Sequence, residues 1–279
     1  TTLFRSREDA KGDFLCGFAA SREPKTGARL MPITCQIENK IAEIVFDVPP
    51  VNAFDSQTWL SIPDIITAAG KNPDVHCILI RAEGRGFCGG VDIKEMQAHP
   101  ERITLLNRGN YLTFKAVRDA EVPVVSAVHK FVIGGGIGIC GASDVIIAAD
   151  DAYFSLPEVD RGAMGGASHL SRMLPLHKVR AAFFTGGNIP AAEAYRLGAV
   201  EKIVAPDALV DEARAFCAII AGKSRKALVI AKEALNGLEV RDVDRGYRWE
   251  QGFTLEMYMH EDSQKSRDAF VETGKAAKF

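Results

Sequence analysis

Residues 124–158 read VVSAVHKFVIGGGIGICGASDVIIAADDAYFSLPE, and this stretch decides the fold class. A β-branched run, Val124 to Val128, leads into Gly134, Gly135 and Gly136. A segment of small residues follows, then a second strand-like run, Val145 to Ala149. Strand, glycine turn, helix and strand in that order indicate an α/β protein. Glycines at a strand-to-helix junction leave backbone N–H groups uncovered, and the helix N-terminus adds partial positive charge. Such a turn holds an anion, or a carbonyl oxygen that becomes one during reaction.

Towards the N-terminus, Cys77 to Ile80 reads as a buried strand running into a second glycine turn, Phe87-Cys88-Gly89-Gly90-Val91-Asp92. Alone that turn is unspecific. Paired with the first, it offers a second backbone N–H to the same oxygen. Ile33 to Ile37 and Ile41 to Val48 alternate apolar and polar residues around Glu38-Asn39-Lys40, a β-hairpin pattern. Ser56 is the expected cap of a helix whose apolar residues are Leu60, Ile62, Ile65 and Ile66. Another helix is expected over about Ile103 to Val117.

Towards the C-terminus, Pro157-Glu158 places a carboxylate among Phe154, Leu156 and Val159, surroundings that raise its pKa and suit proton transfer. A lone glutamate is more often solvated surface. Val159 to Gly166 reads as a flexible loop, and Ala167 to Met173 and His177 to Phe184 as helices. Pro190 suits a helix start and Gly198 that helix's end, and Val200 to Val204 is a short strand. Beyond Pro206 the pattern is helical: Leu209 to Ala221, Ala227 to Leu238, and Val243 to about His260. The expected organisation is an N-terminal extension over residues 1–30, an α/β core over 31–205 and a helical region over 206–279. Met31 opens the first strand pattern and is a candidate natural start; a native extension is the alternative.

The composition excludes several classes. The net charge of -2 draws the chain neither to nucleic acid nor to an anionic membrane. No apolar run reaches membrane-spanning length, about 18 residues. Cys16, Cys35, Cys77, Cys88, Cys140 and Cys217 lie far apart without a C-x-x-C, as expected of reduced thiols in a cytoplasmic protein rather than a disulfide frame or zinc site. Gly136-x-Gly138-x-x-Gly141 fits a dinucleotide fingerprint, which would make the chain an NAD(P)-dependent oxidoreductase. The gap between Val128 and Gly134 is too long for the tight turn that fingerprint needs. A non-catalytic scaffold or RNA binder is a third class, disfavoured by the charge and by Glu158.

In combination these motifs resemble the crotonase superfamily, the enoyl-CoA hydratase/isomerase family. The likeness runs from Ile33 to Phe279 and rests on PPVNAF (Pro49 to Phe54), GRGFCGGVDIKEM (Gly84 to Met96), the glycine triplet, FSLPE (Phe154 to Glu158), YRLGAV (Tyr195 to Val200) and AFVE (Ala269 to Glu272). It implies a superhelix of ββα turns with a helical C-terminal region used for trimerisation, and a homotrimer or dimer of trimers. It implies a coenzyme A thioester as substrate, with no tightly bound cofactor and no metal. The N–H groups of Val91 and Gly135 would hold the thioester oxygen as it becomes an enolate, with Glu158 as the catalytic carboxylate. Ala53, Gly90, Val91 and Ile93 would line the coenzyme A channel, and Phe253 would reach a neighbouring subunit's coenzyme A. One departure bears on the reaction: the two-carboxylate hydratases carry a glutamate where this chain has Gly138. The pattern left suits isomerases and other enolate chemistry.

A finer resemblance points to the crotonase-like hydrolases of bacterial steroid degradation, which open a ring of a bicyclic keto-acyl-CoA. It rests on RAEGRGF (Arg81 to Phe87), GVDIKEMQ (Gly90 to Gln97), PEVDRGAMG (Pro157 to Gly165), HLSR (His169 to Arg172) and YRWEQGFT (Tyr247 to Thr254). On this reading Gly138 leaves room for a bulky ring. Arg161 orients a substrate carbonyl or pairs with Glu158 or Asp160. His169, on an apolar helix, is a structural residue or a second base. Hydration or isomerisation of an enoyl-CoA in fatty-acid metabolism is the alternative.

Overall fold

A two-residue turn, Asn39-Lys40, closes the first hairpin, both residues having positive φ as such a tight turn demands. The strands it joins are β1 (Ile33–Glu38) and β2 (Ile41–Phe46). The computed structural model describes residues 32–240 and 242–278, so the expected extension over residues 1–30 and the Met31 start lie outside the described residues. After the hairpin come β3 (Ala53–Phe54), α1 (Ser56–Lys71), β4 (Cys77–Ala82), β5 (Gly90–Val91), α2 (Ile93–Ala98) and α3 (Ile103–Arg118). Then follow β6 (Val124–Val128), β7 (Phe131–Ile133), α4 (Gly135–Ala142), β8 (Val145–Ala149), β9 (Tyr153–Ser155) and α5 (Glu158–Arg161). The rest is α6 (Ala167–Met173), α7 (Leu176–Thr185), β10 (Ile189–Pro190), α8 (Ala191–Arg196), β11 (Lys202–Val204), α9 (Leu209–Ala221), α10 (Arg225–Leu238), α11 (Val243–Tyr258) and α12 (Glu261–Thr273).

Each turn of the chain gives one strand to a large sheet and one to a small one, then a helix. The large sheet runs β1-β2-β4-β6-β8-β11, and the small ones β10-β9-β7 and β3-β5. From β2 onward the large sheet is parallel. This is the expected superhelix of ββα turns. Its repeating strands start at Ile41, Cys77, Val124 and Val145, spacings too uneven to show as a sequence period.

Both faces of the large sheet are covered, so its strands read as continuous apolar runs. Ile78, Ile80 and Val124 face the main core, whereas Leu79, Val125 and Ile147 face Leu209, Ala213 and Cys217 of α9. Lys232 anchors α10. Its buried ammonium donates to Asp144 Oδ2 at 2.8 Å and to the carbonyls of Val117 and Val122 at 3.2 Å each.

Three expectations need correction. Asp55, not Ser56, caps α1, accepting from Thr58 N at 2.7 Å. Ser56 instead binds Glu95 through its N–H (2.7 Å) and hydroxyl (2.8 Å). The segment Val159 to Gly166 is not all loop: α5 occupies its start, and Gly162, Gly165 and Gly166 follow with positive φ. And α12 continues the chain beyond the expected last helix.

Candidate active site

The two glycine turns meet. Asn52, itself at φ 50, ties down the segment leading into the Phe87–Asp92 turn. Its amide Nδ2 donates to the carbonyls of Glu83 and Gly86, at 2.8 Å each, and its Oδ1 accepts from Val48 N at 2.7 Å. Gly90 has φ +90, and a Cβ there would lie 3.3 Å from Ile133 O and 3.9 Å from Gly134 Cα. That close approach brings Val91 beside Gly135. Asp92 N donates to Phe54 O at 2.9 Å. Successive N–H groups of a strand point to opposite edges, so Val91 N–H points away from β3.

Gly134 turns the chain into α4 at φ 53 and ψ -109, a conformation that favours glycine. Its own N–H donates to Ser155 O at 3.2 Å. Gly135 is the first residue of α4, where N–H groups lack an intrahelical acceptor. A Cβ on Gly135 would overlap the Trp59 indole.

Val91, Gly135 and Glu158 line one cavity. Glu158 opens α5, and its Oε1 is 3.1 Å from where a Cβ on Gly134 would stand. Its Oε2 is buried without a hydrogen-bond partner among the described residues. Burial pushes the Glu158 pKa up to about 8 and Glu250 adds to the rise, while a backbone N–H and the Arg161 charge hold it back. A carboxyl with that pKa exchanges protons near neutral pH, beside backbone donors that suit an oxyanion.

The remaining predicted positions divide. Gly90 and Ile93 line the cavity, but Ala53 and Phe253 do not. Ala53 pairs with Gly90 across β3 and β5. Phe253 is half exposed on α11, edge-on to Trp249 at 5.5 Å between ring centroids. His169 is outside the cavity as well. Its ring is edge-on to Phe114 (4.8 Å) and Tyr247 (5.1 Å), which do line it. Burial, with Arg172 and Arg118 nearby, pushes the His169 pKa down to about 3, so it is a neutral packing residue here.

Gly138 does not leave room for a substrate ring. A Cβ there would overlap Phe114, whose ring already fills the space. The dinucleotide reading fails on the same helix: Gly136 packs on Cys88, Gly138 on Phe114 and Gly141 on His169, so these glycines seat side chains and expose no cradle. Among the described residues, no three histidine, cysteine or acidic side chains are grouped to hold a metal ion.

Sequence reading missed the walls. Asn107, Asn110 and Phe114 of α3, Tyr247 and Thr254 of α11, and Arg267 of α12 also face the cavity. One signal was available. Ile103, Leu106, Asn107, Asn110 and Phe114 form a single helical stripe, and two amides in an apolar stripe mark a wall that meets something polar.

A model of the enoyl-CoA hydratase/isomerase family matches residues 36–278. The chain belongs to that family. A solved enoyl-CoA hydratase/isomerase from Xanthobacter autotrophicus Py2 has the same fold, with a TM-score of 0.81 at 23% identity over 88% of this chain and 94% of that one. Among curated relatives, the (7aS)-7a-methyl-1,5-dioxo-2,3,5,6,7,7a-hexahydro-1H-indene-carboxyl-CoA hydrolase of Rhodococcus jostii is 48% identical, covering 84% of this chain and 92% of its own. The protein of that name from Mycobacterium tuberculosis is 47% identical, covering 87% and 99%. A probable enoyl-CoA hydratase from Mycobacterium bovis is 31% identical, covering 86% and 95%. This enoyl-CoA hydratase/isomerase family member is thus a crotonase-type enzyme of coenzyme A thioesters, and its relatives span hydrolases and hydratases. Among the described residues no helix is long and apolar enough to cross a membrane.

Proposed function

We propose that this enzyme hydrolyses a ring C–C bond of a bicyclic keto-acyl-CoA, the reading that its hydrolase relatives' names suggest. The observation carrying it is the likeness to those hydrolases, 47–48% identical, against 31% for the hydratase. The site supports it: one carboxylate faces the two glycine turns, and Phe114 fills the place where a second would project from α4.

In the proposed reaction Glu158, ionised, takes a proton from water as the water oxygen bonds to the ring ketone carbon. The adjacent ring C–C bond then breaks. Its electron pair passes into the conjugated thioester as an enolate, whose oxygen is held by the N–H groups of Val91 and Gly135. Losing one such donor costs about 3 kcal/mol of barrier. Glu158 returns its proton to the carbanion, and the new acid releases its own to solvent. One water is consumed and one carboxylate appears.

Ala53 and the Gly90–Ile93 turn are assigned to coenzyme A, which arrives with the substrate, and Phe253 to a neighbouring subunit's coenzyme A. We further propose a cytoplasmic homotrimer or dimer of trimers, with an N-terminal extension, a crotonase core over residues 31–205 and a helical region from 206. The test is mass spectrometry of the purified protein against crotonyl-CoA and a bicyclic keto-acyl-CoA in parallel. Gain of one water with ring opening of the second, and no hydration of the first, is expected. Rapid hydration of crotonyl-CoA without ring opening would overturn the reading. Turnover of a 3-enoyl-CoA alone would make the enzyme an isomerase.

A further inference from the structure

Buried arginines are normally met by carboxylates, because an uncompensated guanidinium out of water is costly. Three other arginines among the described residues obey the rule. Arg118 and Arg172 share Glu239, at 2.6 and 2.7 Å, and Arg81 is held by Glu43 and Glu83. Arg267 does not obey it. It is 2% exposed, lines the cavity, and has no carboxylate ion pair among the described residues.

The partners that hold Arg267 are neutral. Nη1 donates to Ser263 Oγ and Nη2 to Gln264 Oε1, the latter at 2.6 Å. Its carbon Cζ stands 4.3 Å from the centre of the Tyr258 ring. Nε is buried with no hydrogen-bond partner among the described residues. The neighbouring acid, Asp268, is taken by Gln97 (3.0 Å) and Gln264 (2.8 Å). A second cation lines the same cavity: Arg161, stacked 3.4 Å above the Phe270 ring of α12. Aromatic rings thus hold both guanidiniums in place; Arg161 also feels the charges of Glu158 and Asp160, whereas Arg267 has no carboxylate ion pair among the described residues.

We infer that Arg267, with Arg161 on the same wall, forms a subsite for a carboxylate carried by the acyl group. The unpartnered Nε and the lack of a carboxylate ion pair among the described residues both suit Arg267 to an anionic ligand. A planar guanidinium held at both Nη atoms has a fixed orientation and keeps its Nε–H unpartnered, the arrangement that a carboxylate can complete. The pocket carries the inference by itself. Identifying that carboxylate with the acid formed by hydrolysis rests on the ring-opening reading, under which the ring ketone would approach this wall and leave it as a carboxylate.

The test uses two unreactive probes that differ only at the far end of the acyl chain, adipoyl-CoA with a carboxylate and hexanoyl-CoA with a methyl. Calorimetric titration of the wild type should show adipoyl-CoA bound at least about tenfold more tightly, the range of a charge-assisted hydrogen bond. Arg267→Met should abolish that preference and leave hexanoyl-CoA affinity within about twofold, and Arg267→Lys should restore part of it. A wild type without preference overturns the subsite. So does an Arg267→Met protein that binds both probes equally less well and melts lower, which would make Arg267 a strut for α12 or a partner of the coenzyme A phosphates. A wild type that prefers adipoyl-CoA through Arg267 yet opens no ring would keep the subsite and remove the ring-opening reading.

Discussion

At Glu158, withdrawing a carboxyl from water sets how the protein answers to pH. Its pKa stands at about 8 in the fold against 4.5 for the free group. The proposed reaction needs it ionised, so kcat/KM for ring opening should climb about tenfold per pH unit below about 8 and level off above. A profile flat from pH 6 to 9 would remove Glu158 as the base. Stability moves the other way. Between pH 4.5 and about 8 the folded chain keeps a proton that the unfolded chain has released, so stability falls as pH rises through that window. Glu158→Gln has nothing to ionise. Wild type and variant should melt together near pH 5, and the variant should melt higher at pH 8.5; equal melting at both pH values would show that Glu158 does not carry the raised pKa. In the same variant ring opening should fall by about 10²–10⁴, with binding of a non-reacting acyl-CoA retained. Full turnover would exclude Glu158 from the chemistry.

Among the elements, α4 and α3 pack closely, with the Phe114 ring directly over Gly138. Gly138→Ala should cost about 1–3 kcal/mol by overpacking, read as a lower denaturant midpoint at unchanged slope. An unchanged midpoint would show that the ring yields freely. This contact also shows where sequence reading stops. Val145–Ala149, Ala167–Met173 and Leu209–Ala221 were legible to the residue, because their apolar periods and flanking breakers are local signals. The two glycine turns and Glu158 were legible as positions, and the structure brings them to one cavity. The partner of Gly138 was not, since it lies on another helix and only packing brings it there. Asp55 and Ser56 are both good caps, and the choice between them depends on Glu95, far along the chain. Helix α12 lies within the expected helical region but was not legible as a separate element, because it buries Ser263, Ser266 and Arg267 in place of an apolar stripe. One member of that polar face, Arg267, reaches the cavity wall.

For the molecule as a whole, the C-terminal helices leave apolar side chains in water: Leu235 at 62% exposure, Leu238 at 76%, Trp249 at 72% and Met259 at 89%. Large apolar side chains left exposed in this number suit a surface that meets another protein. Light scattering at micromolar concentration should give three or six times the 30.2 kDa chain mass, and Trp249→Glu should lower it; a monomer would end the trimer proposal. The filled space over Gly138 has a further consequence, for descent. A glutamate at 138, the pattern of a two-carboxylate hydratase, would strike the Phe114 ring, while trimming Phe114 first would open a hole in the cavity wall where Glu158 and Gly135 also stand. Neither exchange is neutral alone. A change between the two patterns therefore calls for positions 138 and 114 to be exchanged together.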